Sequence, residues 1–132
     1  VYKRQIDNSL KKLSFAGARS DLYFVREGMI NEIKGDRHTI GENLNDAIRD
    51  FQQKEIDFQC NDIYYLSSDG FADQFGESSN KKYMKKKFKE LLESIHTQNL
   101  DQQGQLLKQE LEQWQGKLEQ TDDILVMGVK LT

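Results

Sequence analysis

The sequence contains no proline and only one cysteine among its 132 residues. Without proline, no X-Pro bond constrains a turn or slows folding by cis/trans isomerisation. Cys60 has no second cysteine with which to form a disulfide within the chain, which is typical of proteins from a reducing cytoplasm. The sequence also lacks a run of about eighteen apolar residues, the minimum for a transmembrane helix. We therefore predict a cytoplasmic protein with no membrane contact by this segment.

A strong excess of one charge sign is missing as well, since the formal net charge is only −3. General nucleic-acid and membrane-surface binders usually carry a basic surplus, so neither partner is expected. Hydrophobic residues make up 36% of the chain and aromatic residues 10%, which argues against disorder and suffices for one domain with one core. The sequence begins at Val1 without methionine or a signal peptide, and we expect it to be part of a longer protein.

The first half of the sequence has the pattern of short β-strands. Runs rich in Leu, Ile, Val, Tyr and Phe are separated by glycine, asparagine and aspartate, which favour turns. Glu27-Gly28 lies between two such runs and predicts a β-hairpin over 22–33. The predicted strands cover residues 9–16, 22–26, 29–33, 50–58 and 63–66.

The second half changes to the three-to-four spacing of amphipathic helices. We predict one helix over 80–95, capped within 78–80, a second over 101–118, and a final strand over 124–131. Strands followed by two helices and a strand indicate an α+β fold, in which helices pack on a face of antiparallel sheet. The second helix carries an apolar stripe that is typical of core residues: Leu107, Leu111, Trp114 and Leu118.

A group of lysines is the most visible charged feature, and two interpretations of it stay open. It consists of Lys81, Lys82, Lys85, Lys86, Lys87 and Lys89. The group either binds phosphate or an acidic partner, or forms the solvated face of a helix. The negative net charge favours the solvated face.

The histidines and the cysteine show no catalytic or metal-binding pattern. His38 and His96 are far apart and not in a metal-ligand spacing, and His96 is expected at a helix end, where it can cap carbonyl groups. Cys60 has no neighbouring histidine or lysine to lower its pKa. The sequence contains no nucleophile elbow, Walker loop or dinucleotide-binding fingerprint.

Carboxylates at two strand ends are the stronger candidates. Asp69-Gly70 follows a predicted buried strand, and Asp122-Asp123 precedes the last one. If these strands are antiparallel neighbours, Asp69 and Asp122 converge at one edge of the sheet. Clustered carboxylates without histidine or cysteine favour a hard cation, Mg²⁺ or Mn²⁺. The alternative is that both segments are ordinary turn residues.

Five segments in order resemble the bacterial, SpoIIE-like branch of the metal-dependent (PPM-type) serine/threonine protein phosphatases. Ser68-Asp69-Gly70 is similar to that family's Ser/Thr-Asp-Gly block, and Asp122-Asp123 to its closing Asp-Asp strand. Ala18-Arg19 departs from the family's Ala-Gly-His-Asn segment. The five similar segments are 13–19, 22–28, 40–41, 62–73 and 120–129.

The resemblance implies an antiparallel β-sandwich flanked by helices, with a two-metal centre for Mn²⁺ or Mg²⁺ at one end. It implies that Asp69 and Asp122 are metal ligands, and that Gly70, Asp73 and Asp123 support them. The implied activity is hydrolysis of phosphoserine or phosphothreonine by metal-activated water. The implied substrate is a phosphorylated regulatory protein in bacterial signalling, such as an anti-anti-sigma factor.

One block of the family is missing from the sequence, namely an early Asp followed by a Gly-His-Gly-type turn. Residues 1–132 therefore resemble the C-terminal portion of a single phosphatase domain, incomplete at the N-terminus, and this fragment alone is expected to be inactive. An incomplete sandwich leaves a sheet edge or face open, which favours self-association. The alternative hypothesis is a non-catalytic module that keeps the phosphatase fold and binds a regulatory partner.

Overall fold

A computed structural model describes residues 3–7, 9–37 and 51–132. The strands are β1 (Lys3–Asp7), β2 (Lys12–Ala16), β3 (Leu22–Arg26), β4 (Met29–Ile33), β5 (Lys54–Asp57), β6 (Ile63–Ser67) and β7 (Val126–Lys130). The helices are α1 (Gly70–Asp73), α2 (Lys85–Ile95) and α3 (Leu100–Gln115). Within the described ranges, no helix is long and apolar enough to cross a membrane.

The strands form two antiparallel sheets. One sheet has the order β1-β2-β5, and the other has the order β4-β3-β6-β7. The pairing of β6 with β7 places Ser67 opposite Val126 and Leu66 opposite Met127. The end of β6 therefore meets the start of β7 at one edge of the four-stranded sheet.

The central strands of the four-stranded sheet are buried on both faces, because the helices pack on one face and the three-stranded sheet packs on the other. Successive side chains of each strand point to opposite faces. In β3, Tyr23 and Val25 belong to the core under the helices, whereas Leu22 and Phe24 belong to the core between the sheets. Ile63 and Tyr65 in β6 likewise face the helices, and Tyr64 faces the other sheet. The predicted α+β sandwich flanked by helices is confirmed.

The predicted hairpin over 22–33 is confirmed as β3 and β4. Its register pairs Arg26 with Met29, which leaves Glu27 and Gly28 as a two-residue turn. Both turn residues have positive φ, 52° and 77°, as in the type I′ turns whose twist matches that of the flanking strands.

Other strand bounds differ from the prediction. The strand predicted over 9–16 begins at Lys12, because the Asp7 carboxylate accepts hydrogen bonds from the amides of Ser9 and Leu10 and holds them in a turn. The strand predicted over 50–58 is limited to β5, and its first residue, Asp50, lies outside the described residues. The last strand is two residues shorter at its start than expected, and β1 was not predicted.

Both helices also begin at other residues than predicted. The helix expected from Asn80 begins at Lys85, because the amides of Tyr83 and Met84 donate to Gln74 O and Ala72 O and not to carbonyl groups one helical turn before them. The predicted cap within 78–80 is therefore wrong, and Met84 precedes the helix with a φ of 77°. The second helix is capped by the side chain of Asn99, which accepts from the Gln102 amide, and it ends before Gly116.

The apolar stripe of α3 packs as expected over most of its length. Leu107 is buried, and Leu111 and Trp114 pack against the core under the helices. Leu118 lies beyond the end of α3 and is 37% exposed, so it does not belong to the stripe.

Candidate metal centre

Asp69 lies in the turn between β6 and α1. Strand β6 ends at Ser67, and Asp69 is the residue before Gly70, the first residue of α1. The Asp69 carbonyl accepts a hydrogen bond from the Asp73 amide at 2.9 Å, which closes this short helical turn. The Asp69 side chain is exposed at the sheet edge and thus accessible to a ligand from solvent.

Ser68 fastens this turn to the segment that leads into β7. Its hydroxyl donates to Asp123 O at 2.7 Å and accepts from the Leu125 amide at 3.0 Å. The Ser68 amide also donates to Leu125 O at 3.0 Å. The two acidic segments therefore lie side by side, as the antiparallel arrangement of neighbouring strands requires.

Gly70 makes this close approach possible. A Cβ atom at this position would lie 2.3 Å from Asp123 O and 3.1 Å from the side chain of Ile124. Contacts of 2.3 Å do not occur for real Cβ atoms, and the obstructing atom belongs to the backbone. A side chain at position 70 would thus push the Asp122-Asp123 segment away from Asp69.

Gln74 is an organising residue that the sequence reasoning missed. Its fully buried side chain donates to Glu119 O at 3.1 Å and accepts from the Thr121 amide at 3.2 Å. These bonds hold the segment immediately before Asp122 against the end of α1. A single glutamine after a four-residue helix has no distinctive sequence signal, although a buried polar side chain with saturated hydrogen bonds is informative once a structure is known.

The predicted supporting acids differ in their surroundings. Asp73 forms an ion pair with Lys82, with 3.2 Å between the carboxylate and the ammonium group. The Asp123 amide donates to the Asp122 carboxylate at 2.7 Å, which orients that carboxylate. Asp122 and Asp123 are both exposed, like Asp69.

A pocket beside Asp69 contains further charged residues from the β2–β3 loop and from α2. It is lined by residues that include Arg19, Asp21, Ser68, Asp69 and Lys85. The Lys85 ammonium group donates to the Asp21 carboxylate at 2.7 Å. Burial raises the pKa of Asp21, but the hydrogen bonds from Lys85 and from the Gly35 amide outweigh it, so the pKa lies below its usual range. The same pair raises the pKa of Lys85.

The acidic residues are of the kind that binds a hard cation. Exposed carboxylate oxygens are ligands that Mg²⁺ and Mn²⁺ prefer. The described part of the chain, however, contains no group of three or more histidine, cysteine, aspartate or glutamate side chains placed to hold an ion. Asp69 and Asp122 carry exposed carboxylates of this kind, and the described residues alone do not complete a ligand set.

The remaining candidates lie elsewhere or outside the described residues. His38 lies in the range that is not described, and His96 lies at the C-terminal end of α2, as expected. Cys60 is exposed and free. Several members of the lysine group form ion pairs, and Lys87 also lies 4.1 Å from the ring of Trp114. The paired lysines are Lys82, Lys85, Lys86, Lys87 and Lys89.

A comparison with protein-family models identifies the family of this chain. The family model described as stage II sporulation protein E (SpoIIE) matches residues 5–132, almost the whole chain. The chain belongs to the SpoIIE family. A search of curated proteins gave no match.

Solved structures of PP2C-type phosphatase domains have the same fold. The SiaA-PP2C domain of Pseudomonas aeruginosa is 30% identical with a TM-score of 0.87, and the match covers 96% of this chain and 49% of that one. The phosphatase domain of SpoIIE from Bacillus subtilis is 16% identical with a TM-score of 0.71, covering 98% and 57%. The Mycobacterium tuberculosis serine/threonine phosphatase PstP/Ppp is 18% identical with a TM-score of 0.60, covering 92% and 55%. This SpoIIE-family chain thus spans about half the length of these solved relatives.

Proposed function

We propose that this SpoIIE-family chain is the C-terminal portion of a metal-dependent phosphoserine/phosphothreonine protein phosphatase domain. The observation that carries the proposal is the junction of Asp69 with Asp122-Asp123, held by Ser68 and allowed by Gly70. A SpoIIE family match over almost the whole chain supports it. The proposed substrate is a phosphorylated regulatory protein of a bacterial signalling pathway, such as an anti-anti-sigma factor, and the proposed location is the cytoplasm.

In this proposal, Asp69 and Asp122 hold Mn²⁺ or Mg²⁺, and the rest of the domain contributes the other ligands. When bound, the ion lowers the pKa of a water molecule and neutralises charge on the phosphoryl oxygens. The Asp123 amide keeps the Asp122 carboxylate oriented, and Asp73 stays with Lys82 beside the site. Since the described residues supply only part of the ligand set, we expect the 132-residue chain alone to be inactive.

The test is Mn²⁺-dependent hydrolysis of an aryl phosphate by the natural full-length protein and its Asp69→Asn variant. We expect the variant to lose metal-dependent hydrolysis, because an amide oxygen is a much weaker ligand than a carboxylate. Asp57→Asn is the control, since Asp57 is an exposed aspartate in β5 of the other sheet. Full activity in Asp69→Asn would refute the proposal.

A non-catalytic interaction module is the second candidate. It is favoured by one observation, namely that the described carboxylates do not reach a complete ligand set. Full-length protein that is folded and metal-loaded but hydrolyses no phosphate ester would favour this module over the phosphatase.

A further inference from the structure

A group of exposed cations, which we call the basic rim, lines a depression beside the pocket that includes Asp69. Its members are Arg19, Lys34, Arg37 and Lys85. Arg19 and Lys85 line the pocket that includes Asp69, and they also line a wider depression beside it. Lys34 and Arg37 line this depression as well, but not the pocket that includes Asp69. The surface is therefore continuous from the candidate metal centre to the far end of the basic rim.

The acidic residues in the same depression already have partners. Asp21 accepts hydrogen bonds from Lys85 and from the Gly35 amide, and Glu32 pairs with Lys89 at 2.9 Å. The Asp36 carboxylate accepts from the Gln52 amide at 2.8 Å.

The other three cations of the basic rim differ from Lys85 in this respect. Arg19, Lys34 and Arg37 form no ion pair with any carboxylate in the described part of the chain. The depression thus has cations available for an anionic ligand.

Arg19 is held in place by its backbone. It has a φ of 51°, a left-handed conformation that is costly for a residue other than glycine. The Arg19 amide donates to Asp36 O and the Asp36 amide to Gly17 O, both at 2.7 Å. Within the described ranges, the Arg19 side chain makes one hydrogen bond, from Nε to Arg37 O at 3.2 Å. Both Nη groups can therefore donate to a ligand.

We propose that the basic rim binds acidic residues that flank the phosphorylated residue of the protein substrate. This inference rests on the proposed phosphatase function. A guanidinium group matches a carboxylate through two parallel hydrogen bonds, and the lysines add charge along the same path. A protein segment is favoured over nucleic acid because the chain as a whole is acidic, with a net charge of −3.

The experiment uses the full-length protein and two fluorescent phosphoserine peptides, one with glutamates around the phosphoserine and one with glutamines. Fluorescence anisotropy gives the dissociation constants, and phosphate release gives kcat/KM. We expect the wild-type protein to bind the glutamate peptide about tenfold more tightly at low salt. In the double variant Lys34→Gln/Arg37→Gln this preference should fall to less than about threefold, and in the wild type it should weaken as salt rises.

The matched control removes two exposed lysines from other places. Lys86 and Lys108 each form only a surface pair with a glutamate one helical turn away. Lys86→Gln/Lys108→Gln should keep the preference for the glutamate peptide, and both double variants should hydrolyse aryl phosphate at the wild-type rate.

The outcomes separate this inference from the proposed function. Equal binding of the two peptides by the wild type, or an unchanged preference in Lys34→Gln/Arg37→Gln, would overturn the role of the basic rim. Loss of the preference in the control would overturn it too. A preference that depends on Lys34 and Arg37, without hydrolysis of either peptide, would support the basic rim and refute the phosphatase.

Discussion

At the scale of the residue, Gly70 determines how closely the two acidic segments approach. Any Cβ at this position meets the carbonyl oxygen of Asp123, which is backbone and cannot move aside as a flexible side chain can. Because Gly70 has no Cβ, the two acidic segments can lie side by side, whereas one methyl group at this position would force them apart.

Gly70→Ala should lower the Mn²⁺ affinity of the full-length protein about tenfold and destabilise it by about 1–3 kcal/mol through overpacking. Isothermal titration calorimetry measures the first effect and urea unfolding the second. Gly104→Ala is the control, because nothing lies within 4 Å of a Cβ there, and alanine in α3 should stabilise the helix by about 0.5–1 kcal/mol. Unchanged Mn²⁺ affinity in Gly70→Ala would contradict the proposed ligands.

At the scale of the element, the short helix α1 places its C-cap residue, Gln74, beside the segment that precedes β7. The buried Gln74 side chain connects this short helix to the segment before β7, and the Gln74 carbonyl accepts from the Trp114 indole at 3.0 Å. Gln74 thus joins α1, α3 and the segment immediately before Asp122.

Gln74→Leu keeps the volume of this side chain and removes its hydrogen bonds, which leaves Glu119 O and the Thr121 amide without a partner. We expect a loss of about 1–3 kcal/mol in unfolding free energy and faster hydrogen exchange at the Thr121 amide. Gln105→Leu, an exposed position in α3, should change stability by less than about 0.5 kcal/mol. Unaltered exchange at Thr121 in Gln74→Leu would show that the segment is held by other contacts.

At the scale of the whole molecule, the Arg26 side chain in β3 links its own sheet to the other sheet. Asp62, which is 2% exposed, accepts from the Arg26 guanidinium at 2.6 Å, and the same Nη2 atom donates to Asp57 O in β5 at 2.8 Å. Burial raises the pKa of Asp62, but hydrogen bonds from Arg26, the Gln59 amide and Tyr64 outweigh it, so its pKa lies below its usual range.

Because this pKa is lower in the folded than in the unfolded state, the unfolded state binds more protons in acid. The contribution of Asp62 is complete above its unfolded pKa of about 4 and is lost as the pH falls through the folded value. Asp62→Asn should cost about 3 kcal/mol at pH 7, since Arg26 is left without its partner, and less at pH 3. Urea unfolding at both pH values measures this, and an equal cost at both would contradict the assignment.

Only some parts of the candidate site could be predicted from the sequence. Asp69 and Asp122 could be placed at strand ends from the apolar runs beside them, because a buried strand of a few residues followed by turn chemistry is a local pattern. Gln74 and the start of α2 at Lys85 could not be predicted, since each depends on hydrogen bonds to residues that are distant in sequence. The basic rim was missed because its members come from separate turns and a helix.

Local sequence patterns predict the hairpin of β3 and β4, the succession of strands followed by two long helices and a last strand, and the kind of ligand that the acidic turns offer. These depend on neighbouring residues, such as the Glu27-Gly28 turn with its two positive φ angles. The pairing of β6 with β7 and the position of Arg19 beside Asp69 depend instead on the fold of the whole chain. Strand partners and surface clusters result from packing between distant segments, where many pairings satisfy the same local pattern and burial of the common core selects one.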